Sequence, residues 1–139
     1  MQSHCLLRLL LLRLLLIEDV DDLQAIIQFS LEAIVGCQLT STKSTQDWLK
    51  VLQDSAPDVI LLDGQSNSAH ILSQLKKSWL TRDIPVVCLV SRDRMDDQLQ
   101  AKQAGAAAIV AKPFDPGFLV EIILSIVGPH SPQRNFSSS

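Results

Sequence analysis

The sequence predicts an α/β fold, a doubly wound five-stranded parallel sheet with five helices. Short apolar runs of strand length alternate with longer segments whose apolar residues recur at helical spacing. Three of these runs end directly in charge, at Glu18-Asp19, at Asp63 and at Lys112. Strict alternation implies parallel strands with right-handed crossovers, whose carboxyl ends meet at one edge of the sheet. We therefore expect three carboxylates and one ammonium to lie together at that edge.

The bulk composition fits one globular domain. The chain has 139 residues, 47% hydrophobic and 19% charged, with a formal net charge of -3, which disfavours a disordered tail or a polybasic nucleic-acid binder. We expect no nucleic-acid partner. Cys5, Cys37 and Cys88 are odd in number and widely spaced, which disfavours a disulfide framework or a zinc site and favours a reducing, cytoplasmic compartment.

The apolar N-terminus resembles a targeting segment only superficially. Arg8 and Arg13 interrupt the apolar run, and an acidic cluster follows it without a small-residue cleavage site. The run is also too short and too charged to span a bilayer, so no membrane partner is expected. Residues 11–17 are predicted to form the first strand. Residues 1–10 are then an N-terminal extension, which would extend the strand, dock on a partner or reflect a start codon placed too far upstream.

The first half of the chain alternates as this fold requires. Apolar residues at helical spacing predict a first helix that Gly36 ends, and residues 37–42 predict a short strand near an edge of the sheet. Residues 44–47 resemble a capping box at the start of a second helix. The sequence at 56–58 breaks that helix and leads into a third strand over 59–62.

The second half repeats the pattern. A polar loop over 64–68 precedes a third helix that carries apolar residues from Ile71 to Trp79, and both tryptophans are expected in the core or at its rim. The remaining predicted elements are a strand over 84–90, a polar helix over 95–104 ended by Gly105, a strand over 106–111, a helix opened by Asp115-Pro116, and a disordered tail over 128–139.

The charged strand ends indicate a metal-assisted site. Three clustered carboxylates repel one another unless a hard cation such as Mg²⁺ lies among them. A carboxylate can also accept a phosphoryl group, provided that a cation neutralises the charge of the transferred group, and Lys112 suits that role. The alternative for Glu18, Asp19 and Asp63 is that they cap helices or are solvated in loops.

Four segments, taken in order, resemble the receiver domain of two-component response regulators. They are Leu16-Ile17-Glu18-Asp19, the run from Pro57 to Asp63, the run from Ile84 to Leu89, and the run from Gly105 through Lys112-Pro113-Phe114. The resemblance covers residues 11–127 and implies the flavodoxin-like receiver fold. It also implies that Asp63 is the phosphoryl acceptor, that Lys112 contacts the phosphoryl oxygens, and that the Lys112–Pro113 bond is cis.

The resemblance further implies a Mg²⁺ site. Asp19 and Asp63 would be direct ligands, and Glu18 would act through a bound water or as a second acidic ligand. The backbone carbonyl of Gln65 would complete the set.

Two positions depart from the family pattern. Val90 lies where the family usually has Thr or Ser, and Ile109 lies where it has an aromatic residue whose rotation reports phosphorylation. Ser91 follows Val90, but neighbouring side chains on a strand point to opposite faces, so Ser91 substitutes only if the strand has already ended. The loop over 64–68 is also shorter than usual and lacks Met-Pro.

These features predict a stand-alone receiver. It would accept a phosphoryl group on Asp63 from a sensor histidine kinase or phosphotransfer protein, with Mg²⁺, and act on an unknown downstream protein through its fourth and fifth helices. We expect a monomer or weak homodimer, with no enzymatic activity beyond self-phosphorylation and autodephosphorylation. The alternative is a pseudo-receiver, a phosphorylation-independent interaction module. A third, an aspartate-nucleophile phosphatase, is disfavoured because Gln65 replaces the second Asp that such enzymes usually need.

Overall fold

Five parallel strands form one sheet in the order β2-β1-β3-β4-β5. A computed structural model describes residues 12–35, 37–63 and 68–127. The strands are β1 (Arg13–Ile17), β2 (Gln38–Thr42), β3 (Val59–Asp63), β4 (Val86–Ser91) and β5 (Ala108–Lys112). β1, β3 and β4 occupy the centre, and nearly all their residues are buried, as central parallel strands require. β2 lies at an edge, as predicted.

Five helices alternate with the strands and cover both faces, which confirms the predicted fold class. They are α1 (Asp21–Val35), α2 (Trp48–Ser55), α3 (Ser68–Lys77), α4 (Met95–Gln103) and α5 (Pro116–Val127). Gly105, which follows the C-cap residue Ala104 of α4, has a φ of 104°, a conformation that favours glycine at a helix end. This agrees with its predicted role as the end of the fourth helix.

The sheet separates two apolar clusters. On one face, residues of β1, β3 and β4 such as Leu16 and Leu89 pack with Leu31 of α1 and Leu119 of α5. On the other face, alternate residues of the same strands pack with α2, α3 and α4. The period of two along each strand assigns every strand residue to one of these faces.

Three strands extend one residue further toward the carboxyl edge than predicted. Asp63, Ser91 and Lys112 are the last residues of β3, β4 and β5, rather than the first residues of the following loops. The pairing of neighbouring strands in the sheet therefore fixes the backbones of these residues. Lys112 pairs with Ser91 in the register of β5 on β4.

Two local predictions were wrong. The cap of α2 is Asp47, whose side chain accepts a hydrogen bond from the Lys50 N–H at 3.2 Å, and Ser44 instead binds Asp19, because the chain makes an additional turn before the helix begins. Trp79 lies beyond the end of α3 and is 74% exposed, because the helix ends at Lys77 before its apolar spacing can bring Trp79 to the sheet.

Several predictions fall outside the described residues. They concern the extension over 1–10, Gly36, the carbonyl of Gln65 and the tail over 128–139. Within the described part, Cys37 and Cys88 are buried free thiols. None of the described helices combines the length and apolar character needed to cross a lipid bilayer.

Candidate functional site

An ion pair between β3 and β5 lies at the centre of the site. The Lys112 Nζ is 2.8 Å from Asp63 Oδ2. The Asp63 side chain is only 1% exposed, while that of Lys112 is 25% exposed. Because the two residues end strands on either side of β4, the sheet itself fixes their separation. The structure therefore brings the predicted acceptor and the predicted lysine together.

Glu18 lies beside Asp63 in the buried part of the site. Its Oε2 accepts a hydrogen bond from the Val20 N–H at 3.1 Å, whereas its buried Oε1 has no hydrogen-bond donor among the described residues. Burial raises the pKa of Glu18 to about 7, and a hydrogen bond with Asp63 adds to the increase. Protonated Glu18 can make that bond by donating to Asp63, while ionised Glu18 is left with an unsatisfied oxygen.

Asp19 is held by the loop that follows β2. Its two carboxylate oxygens accept from the Ser44 N–H at 2.6 Å and from the Ser44 hydroxyl at 2.5 Å. Asp19 and Ser44 also line a cavity of about 10 Å³ with Asp63 and Ser68, which holds at most about one water. Asp19 thus borders the site, but its carboxylate is bound to Ser44.

The described side chains fit a hard cation in chemistry, although not as a ready-made set. Among the described residues, no group of three or more Asp, Glu, His or Cys side chains is arranged to hold a metal ion. The unsatisfied Oε1 of Glu18 is nevertheless the kind of oxygen that Mg²⁺ binds, and Asp63 lies beside it. Asp19 can join them by turning its carboxylate away from Ser44.

A larger cavity of about 450 Å³ opens onto the acceptor from the face covered by α1 and α5. Its lining includes Asp63, Ser91 and Lys112, which end three strands, and Leu23 and Ile26 of α1. Ile26 is 60% exposed, so the apolar wall continues onto the outer surface. The Lys112–Pro113 peptide bond at the rim is cis, as predicted.

Val90 and Ser91 point to opposite faces of the sheet. Val90 is buried with Ile17 and Cys88 in the cluster beneath α2, α3 and α4, and Ile109 packs against that cluster. Ser91 lines the cavity that contains Asp63, and its hydroxyl donates to Asp93 Oδ1 at 2.7 Å. The strand does not end before Ser91, since β4 includes it, and the face that Ser91 shares is the face of Asp63.

Sequence reasoning missed Ser44 and left the role of Ser91 dependent on where β4 ends. Ser44 gives no signal as a partner of Asp19, because the two are 25 residues apart and meet only when β2 pairs with β1. The orientation of Ser91 toward Asp63 follows from the register of β4 on β3, in which Leu89 pairs with Asp63, and that register is a property of the assembled sheet.

Comparison with protein families gives an independent result. The family model of the response regulator receiver domain matches residues 14–124. The phosphate regulon transcriptional regulatory protein PhoB of Escherichia coli strain K12 is 32% identical over 123 residues, which cover 86% of this chain and 53% of PhoB. The chain thus spans about half the length of the curated relatives it matches.

Solved structures show the same fold. A putative response regulator from Chloroflexus aurantiacus superposes with a TM-score of 0.77 at 22% identity, covering 84% of this chain and 97% of that one. The Vibrio cholerae chemotaxis protein CheY4 superposes with a TM-score of 0.73 at 17% identity, covering 83% of this chain and 98% of its own. At these identities the likeness concerns the fold alone.

Proposed function

Because the chain belongs to the response regulator receiver domain family, we propose that it accepts a phosphoryl group on Asp63. The observation that carries this proposal is the buried Asp63 carboxylate paired at 2.8 Å with Lys112, where a cavity opens onto the carboxyl edge of the sheet. Open α/β sheets bind ligands at this edge. The family consists of signalling modules, so the chemistry is that of a switch and not of turnover on a substrate.

The proposed reaction is an in-line displacement on phosphorus. A carboxylate oxygen of Asp63 forms a bond to phosphorus as the phosphorus–nitrogen bond of a phosphohistidine breaks, and the leaving imidazole nitrogen takes up a proton from water. Catalysis of such transfers is mostly positioning and neutralisation of charge. Lys112 supplies one positive charge at the acceptor, and burial of Asp63 strengthens that interaction.

We propose that Glu18, Asp19 and Asp63 hold Mg²⁺, with the carbonyl of Gln65 as a further predicted ligand outside the described residues. When bound, the ion supplies the positive charge that offsets the phosphoryl oxygens. Support comes from the unsatisfied buried oxygen of Glu18 beside Asp63. Asp19 would exchange its two hydrogen bonds with Ser44 for the cation.

The phosphoryl donor that fits the site is a sensor histidine kinase or a phosphotransfer protein. A donor must bring its imidazole to Asp63 through the large cavity, whose wall includes Leu23 and Ile26. Phe29 of α1 and Phe118 of α5 are also exposed, on the two helices that contribute residues to this cavity. Exposed apolar patches of this kind mark interaction sites. Output is proposed through α4 and α5 to a downstream protein.

We further propose that the chain is a monomer or weak homodimer in the cytoplasm. The buried free thiols Cys37 and Cys88 are compatible with a reducing compartment. No nucleic-acid or membrane partner is proposed, since the net charge of -3 offers no excess of basic residues for either.

A second function is favoured by the apolar residues at two switch positions. Val90 and Ile109 pack together on the face away from Asp63 and carry no hydroxyl or aromatic ring that could respond to a phosphoryl group. In a pseudo-receiver, the same fold would bind its partner irrespective of phosphorylation.

Intact mass spectrometry separates the two functions. The protein is incubated with acetyl phosphate and Mg²⁺, with Asp63→Asn as the matched control. We expect the unmodified chain to gain the mass of one phosphoryl group and the Asn variant to gain none. An unchanged mass, or an equal gain in both proteins, would favour the pseudo-receiver.

A further inference from the structure

Ser91 shares its sheet face with the acceptor and the lysine. In the register of β3 on β4, Asp63 pairs with Leu89, and in that of β4 on β5, Ser91 pairs with Lys112. Side chains two residues apart on a strand point to the same face. Ser91 accordingly lines the 450 Å³ cavity together with Asp63 and Lys112.

The present partner of the Ser91 hydroxyl is a replaceable one. It donates to Asp93 Oδ1 at 2.7 Å in an exposed turn. The turn does not depend on this bond alone, because the Ser91 carbonyl accepts from the Arg94 N–H at 3.0 Å and from Gln98 Nε2 at 3.2 Å. A serine hydroxyl rotates about one side-chain bond, so it can exchange Asp93 for another acceptor while the backbone stays in place.

We propose that Ser91 binds the phosphoryl group on Asp63, its hydroxyl leaving Asp93 to donate to a phosphoryl oxygen beside Lys112. This inference rests on the proposed function. Lys112 contributes a compact positive charge, whereas the Ser91 hydroxyl contributes a directional hydrogen bond. The phosphoryl group has several acceptor oxygens, so it can bind both residues at once. Val90 cannot make this contact from the opposite cluster. The phosphoryl site is thus completed by the residue after Val90.

The test compares three variants in phosphorylation by acetyl phosphate with Mg²⁺, followed by intact mass. Ser91→Ala removes the donor, and we expect its rate to fall about tenfold, as the loss of a hydrogen bond to a charged group implies. Ser91→Thr keeps the hydroxyl and should restore most of the rate. Asp93→Ala removes the competing acceptor, and its rate should equal or exceed that of the unmodified chain.

The Asp93→Ala variant is the matched control for a purely structural role. If the Ser91–Asp93 bond only shaped the turn, Ser91→Ala and Asp93→Ala would slow the reaction equally, and that result would overturn the inference. A rate for Ser91→Ala equal to that of the unmodified chain would overturn it as well, while leaving phosphorylation of Asp63 intact. Absence of any mass gain in the unmodified chain would instead remove the proposed function, and this inference with it.

Discussion

Lys112 Nζ lies 2.8 Å from Asp63 Oδ2, although 49 residues separate the two in the chain. The pair forms only when β3, β4 and β5 have assembled, since each residue ends a strand on either side of β4. It places a positive charge on a carboxylate that is otherwise almost entirely buried. The same ion pair therefore contributes to the stability of the folded sheet and neutralises charge at the proposed acceptor.

Removing the lysine should destabilise the protein. Lys112→Met leaves the buried Asp63 carboxylate without its cation, and we expect the free energy of unfolding to fall by about 1–3 kcal/mol, because Lys112 is only partly buried. Urea unfolding measures the change. The double variant Lys112→Met with Asp63→Asn should recover much of the loss, since no unpaired charge then remains. Additive losses in the two single variants would contradict a coupled pair.

The metal-free protein should lose stability as pH rises through the range set by Glu18. The pKa of Glu18 is about 7 in the folded chain and 4.5 ordinarily, so the folded state binds the proton more tightly than the unfolded state does. The contribution of protonated Glu18 is complete below about pH 4.5 and declines as pH rises through 7.

Glu18→Gln removes this titration and is the test of it. Urea unfolding without Mg²⁺ should show the variant gaining stability relative to the unmodified chain between pH 5 and pH 8, by on the order of 2 kcal/mol. A constant difference between the two proteins across this range would show that Glu18 titrates normally.

Releasing Asp19 from Ser44 should strengthen Mg²⁺ binding. Ser44→Ala removes the hydroxyl that donates to Asp19 at 2.5 Å, so less has to be given up when the carboxylate turns to the cation, and we expect the Kd to fall about threefold to tenfold. Isothermal titration with MgCl₂ measures this. Thr45→Ala, in the exposed next position of the same loop, is the matched control and should leave the Kd unchanged. Weaker binding by Ser44→Ala would show that Ser44 orients Asp19 for the ion.

The two tryptophans should differ in their contribution to stability. Trp48 is half-buried and packs against the cluster beneath α2, α3 and α4, so Trp48→Ala should cost about 2 kcal/mol or more. Trp79 is 74% exposed, so Trp79→Ala should change the free energy of unfolding by less than about 0.5 kcal/mol. Chemical denaturation of both variants gives the comparison. Equal losses would place Trp79 in a packed environment.

The sequence predicted the central strands well because burial on both faces leaves a simple trace, an unbroken apolar run such as Val59 to Leu62. It was less informative about loops. Ser44 and Asp47 both precede α2 and both suit a cap, and only the tertiary contact with Asp19 decides which of them caps the helix. Trp79 was misplaced for a related reason, because its spacing continues a helix that ends two residues earlier.

The residues of the site likewise include some that the sequence predicts and others that it does not. The charged residues that follow β1 and that end β3 and β5 could be read from the sequence, since parallel strands share an edge. Ser91 could not be assigned from its neighbours alone, because its orientation depends on the pairing of β4 with β5. The role of a residue that depends on strand register can be assigned only when the pairing of its strand in the sheet is known.

The two apolar clusters place the acceptor and the helix α4 on opposite faces of the sheet. The acceptor cavity opens on the side of α1 and α5, whereas Val90 and Ile109 belong to the layer shared with α4. The residues that the central strands contribute to the two clusters are aliphatic apart from Cys88, and none of them is charged. The shortest covalent path from the cavity to α4 is the stretch from Ser91 to Arg94. The covalent connection between the cavity and that helix therefore lies at the carboxyl edge of the sheet, in a turn whose residues 92–94 are exposed.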